Sequence, residues 1–228
     1  MHFVNVGRGV YSLSEASLLT GVNRYRISRW TRGYTFTHHG TRQTMPPIVG
    51  SAPDCAGSPI LTFADLIEIR FLEAFRQHGV STRALRIASQ RAKELLGRHH
   101  PFSTQIFMSD GRTILAEITK ETGDKVLLDI VNKQYVFEKV VASYLYLGLD
   151  FNDLKEPARW WPLGKDHSVV IDPRRAFGAP IVAKAGIPTK ILNSAMSAEK
   201  SVEIVANWYG ISIEEVRDAV QFETKLAA

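Results

Sequence analysis

The first hydrophobic pattern in the chain is a pair of short amphipathic segments that meet at Gly21. Apolar residues recur three or four positions apart in both segments, and such residues share one face of a helix. These positions are Leu13, Ala16, Leu19, Ile27 and Trp30. The pattern predicts two helices joined by a tight turn, within residues 10–33.

The next two segments differ in character. Residues 34–60 are rich in Gly, Pro, Thr and His, which predicts a β wing and a linker. From Leu61, apolar positions recur at helical spacing as far as His78, and they do so again after Ser81, a helix-capping residue type. A pair of longer helices is therefore predicted to follow the wing.

Between Thr104 and Val136 the hydrophobic period shortens toward two, which is typical of strands. Ser-Asp-Gly and Thr-Gly-Asp are turn sequences that divide this stretch. We expect a small antiparallel sheet and then one helix. The strands would span 105–108, 113–119, 125–130 and 134–136, and the helix 137–146.

The last third of the chain, which begins with Val169-Val170-Ile171-Asp172-Pro173, is predicted to form one strand and three helices. The helices would span 189–196, 201–208 and 212–222, and Ser212 with Glu215 forms a capping-box sequence at the start of the last one. The expected fold class is α+β and mainly helical. The expected domains are a winged helix-turn-helix (1–60), a helical pair (61–100), a small β-rich region (101–164) and a C-terminal helical domain (165–228).

The excess of positive over negative charge is confined to one part of the chain. Residues 1–50 contain six arginines and a single acidic residue, Glu15, so their net charge of +5 equals that of all 228 residues. Because the excess is local, it indicates a defined surface that meets phosphate groups rather than general attraction to polyanions.

A helical wheel of the second helix turns Ile27 and Trp30 inward and polar residues outward. This division of faces is what a DNA-recognition helix needs, although a solvated arginine face would look similar. We predict base contacts from Tyr25, Ser28, Arg29 and Arg32, and backbone contacts from Arg24 and Arg26. Asn23 would cap the helix, and Arg42 would reach DNA from the wing tip at 38–43.

The run Glu15-Ala16-Ser17-Leu18-Leu19-Thr20-Gly21-Val22, followed by Trp30, resembles the winged helix-turn-helix of MerR-type regulators. The helical pair after the wing resembles theirs as well. Ser28 and Arg29 stand where those regulators usually carry an arginine and a tyrosine. The resemblance implies binding to double-stranded DNA, and a helix-turn-helix commonly reads paired half-sites as a homodimer. We expect dimerisation through residues 61–96.

The C-terminal segment carries Ile171-Asp172-Pro173, Phe177-Gly178-Ala179-Pro180-Ile181, Ile187-Pro188-Thr189 and Tyr209-Gly210-Ile211. This order resembles a small helical domain that is similar to helix-turn-helix folds and is commonly encoded beside PIN-like ribonuclease toxins. Lys184-Ala185-Gly186 stands where that family often shows Gly-Thr-Arg. With its front half, the chain resembles the large VapB-type antitoxins of type II toxin-antitoxin systems.

That resemblance implies a protein that neutralises a PIN-like ribonuclease toxin and represses its own operon. A PIN-type active site is a carboxylate-lined cleft for divalent metal, so an inserted cation would block it. The candidate contacts are Arg159, Arg174 and Arg175, with Trp160 and Trp161 as anchors. Packing in the core is the other explanation for the two tryptophans.

Sequence motifs for catalysis are missing from the chain, so we expect no enzyme, cofactor or metal site. A single cysteine, Cys55, and no membrane-spanning run favour a cytoplasmic protein. One alternative remains open. A free-standing MerR-like regulator could sense a ligand through aromatic residues of the middle region: Phe107, Tyr135, Phe137, Tyr144 and Tyr146.

Overall fold

The computed structural model describes residues 9–38, 40–50, 52–53, 59–123, 125, 128 and 148–227. These residues divide into two compact units. The N-terminal unit contains the described residues from 11 to 128 together with 151–157. The C-terminal unit contains 9–10, 148–150 and 158–227.

The N-terminal unit begins with two short helices, α1 (Leu13–Thr20) and α2 (Arg24–Arg32). Ser12 and Glu15 close a capping box at the start of α1, because each side chain bonds the backbone N–H of the other. Gly21 ends α1 with a left-handed φ of 70°, and a left-handed C-cap of this kind is a position that glycine occupies most easily. The predicted helix-turn-helix is therefore present.

The segment after α2 forms a β hairpin. Strands β1 (Tyr34–His38) and β2 (Thr41–Met45) pair antiparallel, with Tyr34 opposite Met45. A second, two-residue pair joins β3 (Ala52–Pro53) to β4 (Pro59–Ile60). The hairpin is the predicted wing, and it follows the second helix directly.

Two long helices come next, α3 (Phe63–Gln77) and α4 (Thr82–Leu96). Thr62 caps α3 through a capping box with Asp65. Ser81 caps α4, as predicted, by accepting a hydrogen bond from the Ala84 N–H. Eleven of the fifteen residues of α3 are buried, so this helix is internal to the unit.

The strands expected at 105–108 and 113–119 are wrong, because Gln105–Thr122 is a single helix, α5. Thr104 caps it, and its buried positions, Phe107, Ile114, Leu115 and Ile118, follow helical spacing. The supposed turn glycine, Gly111, lies inside the helix. A Cβ on Gly111 would come within 2.7 Å of the Phe107 ring, so the glycine makes room for that ring.

Residues 125 and 128 are also helical, which contradicts the strand expected at 125–130 at those two positions. The strand expected at 134–136 and the helix expected at 137–146 lie outside the described residues.

An aromatic cluster forms the centre of the N-terminal unit. Phe71 lies 4.5 Å from Phe75, 4.6 Å from Phe102 and 5.0 Å from Phe107, measured between ring centroids. Because α3, α5 and the connection before α5 each contribute a ring, the cluster ties these elements together.

Beside this cluster lies a buried carboxyl group, Glu68, which accepts backbone hydrogen bonds from Phe102 and Ser103. Burial raises the pKa of Glu68 to about 7, although the His100 charge and the backbone bonds oppose this rise. Burial alone would lower the pKa of His100, but its bond to Asp65 and the charges of both carboxylates raise it overall. This part of the chain therefore contains a buried carboxyl group, Glu68, whose pKa lies near neutral pH.

The last third of the chain contains a four-stranded sheet in the order β5 (Leu149–Phe151), β6 (Pro157–Trp160), β7 (Val169–Ile171) and β8 (Pro180–Val182). β7 pairs antiparallel with both neighbours and is fully buried. A short 3-10 turn at Ala176–Gly178 connects β7 to β8. The protein therefore contains a small antiparallel sheet, but this sheet lies later in the chain than the sequence pattern predicted.

Three helices follow the sheet: α6 (Thr189–Glu199), α7 (Val202–Tyr209) and α8 (Ile213–Ala227). Their core contains Val182, Leu192, Val205, Ala206, Val216 and Ala219. The Ser212 and Glu215 capping box is formed at the start of α8. The fold class, α+β and mainly helical, is confirmed.

In the part of the chain that the structure describes, no helix is long and apolar enough to cross a membrane.

Candidate nucleic-acid interface

Helix α2 separates its residues by face, as a recognition helix must. Ile27 and Trp30 are buried at 0% and 2% relative exposure, whereas Tyr25 is 70% exposed. The carbonyl oxygen of Trp30 accepts hydrogen bonds from the N–H groups of Ile48 and Val49, at 2.7 and 3.1 Å. The inner face is therefore fixed both by packing and by backbone bonds, and this leaves the outer face free to meet DNA.

The start of α2 is defined by Asn23, whose side-chain oxygen accepts a hydrogen bond from the Tyr25 N–H at 2.9 Å. The Ser17 hydroxyl donates a hydrogen bond to the carbonyl oxygen of Val22 at 2.7 Å and so closes the turn that precedes Asn23. Asn23 thus acts as the predicted N-cap, and its side-chain oxygen is engaged in capping.

Arg24, Arg32 and Arg42 are all exposed. Among the described residues, none of the three forms an ion pair. Arg42 lies on β2 opposite Thr37, within a strand whose first four residues are exposed on both faces. The hairpin therefore presents Arg42 to solvent, as a wing that touches a DNA backbone would.

Arg26 has an internal partner instead. Its Nη1 lies 2.9 Å from both carboxylate oxygens of Glu73 on α3, and Arg76 bonds the same carboxylate at 2.8 and 3.0 Å. Burial alone would raise the pKa of Glu73, but Arg76 and Arg26 outweigh it and hold the pKa below its ordinary value. Arg26 therefore joins α2 to α3, and a phosphate contact would have to compete with this ion pair.

Arg29 is held by aromatic rings. Its guanidinium carbon lies 3.6 Å from the centroid of the Tyr34 ring and 5.8 Å from that of Tyr25. A cation within about 6 Å of a ring face is attracted to it. Tyr34 was not among the predicted site residues, because it lies in the wing and contacts α2 only in the folded chain.

A cavity of about 250 Å³ lies in this region. Its walls belong to α2, the first residue of β1 and the start of α4. The lining residues are Asn23, Tyr25, Arg26, Arg29, Trp30, Tyr34 and Thr82. Most of them are the residues predicted to face DNA, so the cavity is part of the same surface.

The ligand-sensing alternative depended on aromatic residues of the middle region. Phe107 is fully buried in the aromatic cluster and leaves no binding face. The other four residues, Tyr135, Phe137, Tyr144 and Tyr146, lie outside the described residues. The described part of the chain therefore contains no aromatic ligand site of the kind that this alternative needs.

In the C-terminal unit, the predicted toxin contacts separate into engaged and exposed residues. Asp150 accepts a hydrogen bond from Trp161 Nε1 at 2.9 Å and pairs with Arg159 at 3.0 Å and Lys165 at 2.7 Å. Burial alone would raise the pKa of Asp150, but these partners lower it overall. Arg159 and Trp161 thus belong to a local network around one carboxylate.

Two more of these residues are also engaged within the unit. Trp160 is only 6% exposed, which agrees with core packing. Arg175 donates a hydrogen bond to the Ala183 carbonyl at 2.6 Å and lies against Gly186, where a Cβ would come within 3.0 Å of its guanidinium. Arg175 therefore stabilises the loop after β8.

Arg174 is the most exposed of these arginines: 70% of its side chain is exposed, and its Nε lies 3.7 Å from a carboxylate oxygen of Asp172. Nearby, Phe177 is 85% exposed and adopts a left-handed φ of 53°, in a turn where Ala176 also has a positive φ. Left-handed backbone in a bulky residue is uncommon and often marks functional turns. Phe177 was not among the predicted toxin contacts, although its Arg-Ala-Phe-Gly context could have suggested an exposed turn.

Comparison with known proteins adds to this geometry. A family model described as "Putative DNA-binding HTH domain" matches residues 9–89, which include the helix-turn-helix, the wing and the helical pair. The chain is 28% identical over 222 residues to "Putative antitoxin VapB45" of Mycobacterium tuberculosis, and the match covers 92% of each chain. Over most of its length, the chain is therefore similar to a protein named as a putative VapB-type antitoxin.

A solved structure shows the same fold relationship. The crystal structure of Rv2018 from Mycobacterium tuberculosis matches with a TM-score of 0.74 and 28% identity, covering 92% of this chain and 96% of the other. Because the likeness extends over both units, the resemblance to a VapB-type antitoxin with a helix-turn-helix is confirmed over nearly the whole chain.

Proposed function

We propose that this protein is an antitoxin that neutralises a PIN-like ribonuclease toxin and represses its own operon by binding double-stranded DNA. The observation that supports DNA binding most directly is the outer surface of α2 and the wing. There Arg24, Arg32 and Arg42 are exposed without ion pairs among the described residues, and Arg29 is stacked beside them. Such a surface suits contacts to phosphates and base edges.

The order of elements supports a MerR-like arrangement of this DNA reader. A helix-turn-helix is followed by a two-stranded wing and then by two long helices. In the proposed assembly, two copies read paired half-sites. Since α3 is buried inside the unit, a dimer contact in this region would fall mainly to α4, which exposes Leu95.

Toxin binding is proposed for the turn that contains Arg174 and Phe177. The guanidinium supplies a positive charge for a carboxylate-lined cleft, and the exposed ring supplies an apolar anchor. Arg159, Trp160, Trp161 and Arg175 would support the unit that carries this turn, because their side chains are engaged within it.

Two measurements test these roles together. Gel shifts with the duplex upstream of this chain's own reading frame test repression, with a scrambled duplex as the control. Growth of cells that co-express a PIN-like ribonuclease encoded beside it tests neutralisation. We expect specific binding in the first case and rescue of growth in the second. Absence of specific binding contradicts repression, and continued toxicity contradicts neutralisation.

A further inference from the structure

The closest cation and ring contact in the described structure joins the recognition helix to the wing. The Arg29 guanidinium carbon lies 3.6 Å from the Tyr34 ring centroid, which is van der Waals contact. Other described pairs of this type lie 5.8 or 5.9 Å apart. The side chain of Arg29 is therefore stacked face-on against one particular ring.

The backbone at Gly33 places that ring. Gly33 has a φ of 71°, and a Cβ at this position would lie 2.2 Å from the carbonyl oxygen of Met45. Only glycine allows the chain to leave α2 and enter β1 by this path. Because Tyr34 then pairs with Met45 in the hairpin, its position is fixed by the wing.

A second contact supports the ring from α4. Arg86 donates a hydrogen bond from Nε to the Pro46 carbonyl at 3.1 Å, and its guanidinium carbon lies 5.8 Å from the Tyr34 centroid. The wing and α4 therefore both contribute to the place that Tyr34 occupies.

A guanidinium that stacks by its face keeps its N–H groups free at the edge. Among the described residues, Arg29 donates no hydrogen bond to another group of the protein. The planar fork of N–H donors matches the two acceptors, O6 and N7, on the major-groove edge of guanine. Fixing the side chain before binding also reduces the rotamer entropy that is lost on association.

We propose that Tyr34 is a positioning residue for specific DNA recognition: its ring holds the Arg29 guanidinium in the orientation that presents its donor edge to a guanine. This inference rests on the proposed DNA-binding function. It assigns to a wing residue a role in sequence specificity that acts through Arg29, without a base contact of its own.

The test in the free protein is an NMR measurement that needs no DNA. The Tyr34 ring current should shift the Arg29 side-chain protons upfield. The shift should persist in Tyr34→Phe and be largely lost in Tyr34→Leu, whereas Thr37→Ala, a change at an exposed position of the same strand, should leave it in place. Unshifted Arg29 protons in the wild-type protein would overturn the proposal.

The test with DNA is a double-mutant cycle using the duplex upstream of this chain's reading frame and a scrambled duplex. Tyr34→Leu should weaken binding to the specific duplex about 3- to 30-fold, and Tyr34→Phe much less. In an Arg29→Ala background, Tyr34→Leu should have no further effect, because its target is gone.

Three results distinguish the possibilities. If the double variant loses affinity by the product of the two single-variant fold-losses, the positioning role is overturned. Independent effects of Tyr34→Leu and Arg29→Ala would indicate that Tyr34 only stabilises the wing. An equal loss on both duplexes would overturn the role in specificity and indicate a phosphate contact. If the wild-type protein does not distinguish the two duplexes, the proposed repressor function fails, and the NMR shift still decides whether Tyr34 positions Arg29.

Discussion

The arginines of the two units are used in different ways. On α2 and the wing, Arg24, Arg32 and Arg42 are exposed, whereas Arg26 forms an ion pair with Glu73 and joins α2 to α3. In the C-terminal unit, by contrast, all three candidate arginines have local partners: Arg159 and Arg175 are held at 3.0 Å or less, and the exposed Arg174 lies 3.7 Å from Asp172.

The difference follows from the elements that carry the side chains. On a helix with a buried face, periodicity alone decides which residues point to solvent, so an arginine pattern can be interpreted from sequence. In a turn between strands no such period exists. There, the partners of an arginine depend on carbonyls and carboxylates that come from other parts of the chain.

The largest effect is expected from the exposed face of α2. Arg29→Ala or Arg32→Ala should reduce affinity for the upstream duplex by about 1–3 kcal/mol if the lost contact is bidentate to guanine. Gel shifts measure this, and co-expression shows whether toxin inhibition is retained, as we expect. Arg174→Ala is the matched control from the other unit and should leave the gel shift unchanged. Unaltered shifts in both α2 variants would contradict the assignment of the recognition helix.

A slightly smaller effect is expected at the exposed turn of the C-terminal unit. Phe177→Ala or Arg174→Glu should weaken binding to a PIN-like toxin by about 2 kcal/mol, the usual size for an interface anchor. Titration calorimetry with the purified toxin measures this, and growth on co-expression provides a second readout.

The control for the toxin-binding measurement is Trp208→Ala on α7, elsewhere in the same unit. The Trp208 side chain is 61% exposed, so the change alters the surface and not the core. Full toxin inhibition by an Arg174→Glu, Arg175→Glu double variant would refute the proposed contact. Loss of inhibition in Trp208→Ala alone would move the contact to α7.

The buried groups of the N-terminal unit predict a pH dependence of its stability. The pKa of Glu68 is about 7 when folded, against 4.5 for the ordinary group, so the folded state holds a proton that the unfolded state has released. The stability that this proton provides is fully present below pH 4.5 and is lost as the pH rises through 7. The raised pKa of His100 acts in the same direction.

Between pH 5 and 8, the free energy of unfolding should therefore fall by about 2 kcal/mol through Glu68. Urea unfolding followed at several pH values measures the slope. Glu68→Gln should flatten it, whereas Glu94→Gln, on an exposed part of α4, should leave it unchanged. A wild-type stability that rises over this range would contradict the prediction.

The smallest effect separates two arginines on the same helix. Arg26→Ala should lower the free energy of unfolding by about 1 kcal/mol, because it leaves Glu73 with one arginine partner fewer. Arg24→Ala removes an exposed side chain and should change stability by less than about 0.5 kcal/mol. Thermal unfolding of both variants measures the two changes in the free energy of unfolding. Equal changes would show that the Arg26–Glu73 ion pair does not stabilise the protein.

Local patterns predicted several elements correctly. The caps at Asn23, Ser81 and Ser212 were recognisable because the residues that form them lie within three positions of each other. Residues 105–119 were misassigned for the opposite reason. Short-range alternation and a Ser-Asp-Gly turn sequence suggested strands there, but α5 forms because its apolar residues pack against the aromatic cluster of α3.

The candidate site shows the same division. By itself, the sequence determined the faces of α2, the concentration of charge in the first 50 residues and the resemblance to VapB-type antitoxins, since each depends on spacing or composition within a segment. The tertiary structure alone decided which of the predicted contact arginines have partners within the protein. Glu73, Asp150 and Ala183 come against their arginine partners only when the chain folds. It also decided that Tyr34 stacks on Arg29, since the contact depends on the path of the backbone at Gly33 and on the pairing of the wing.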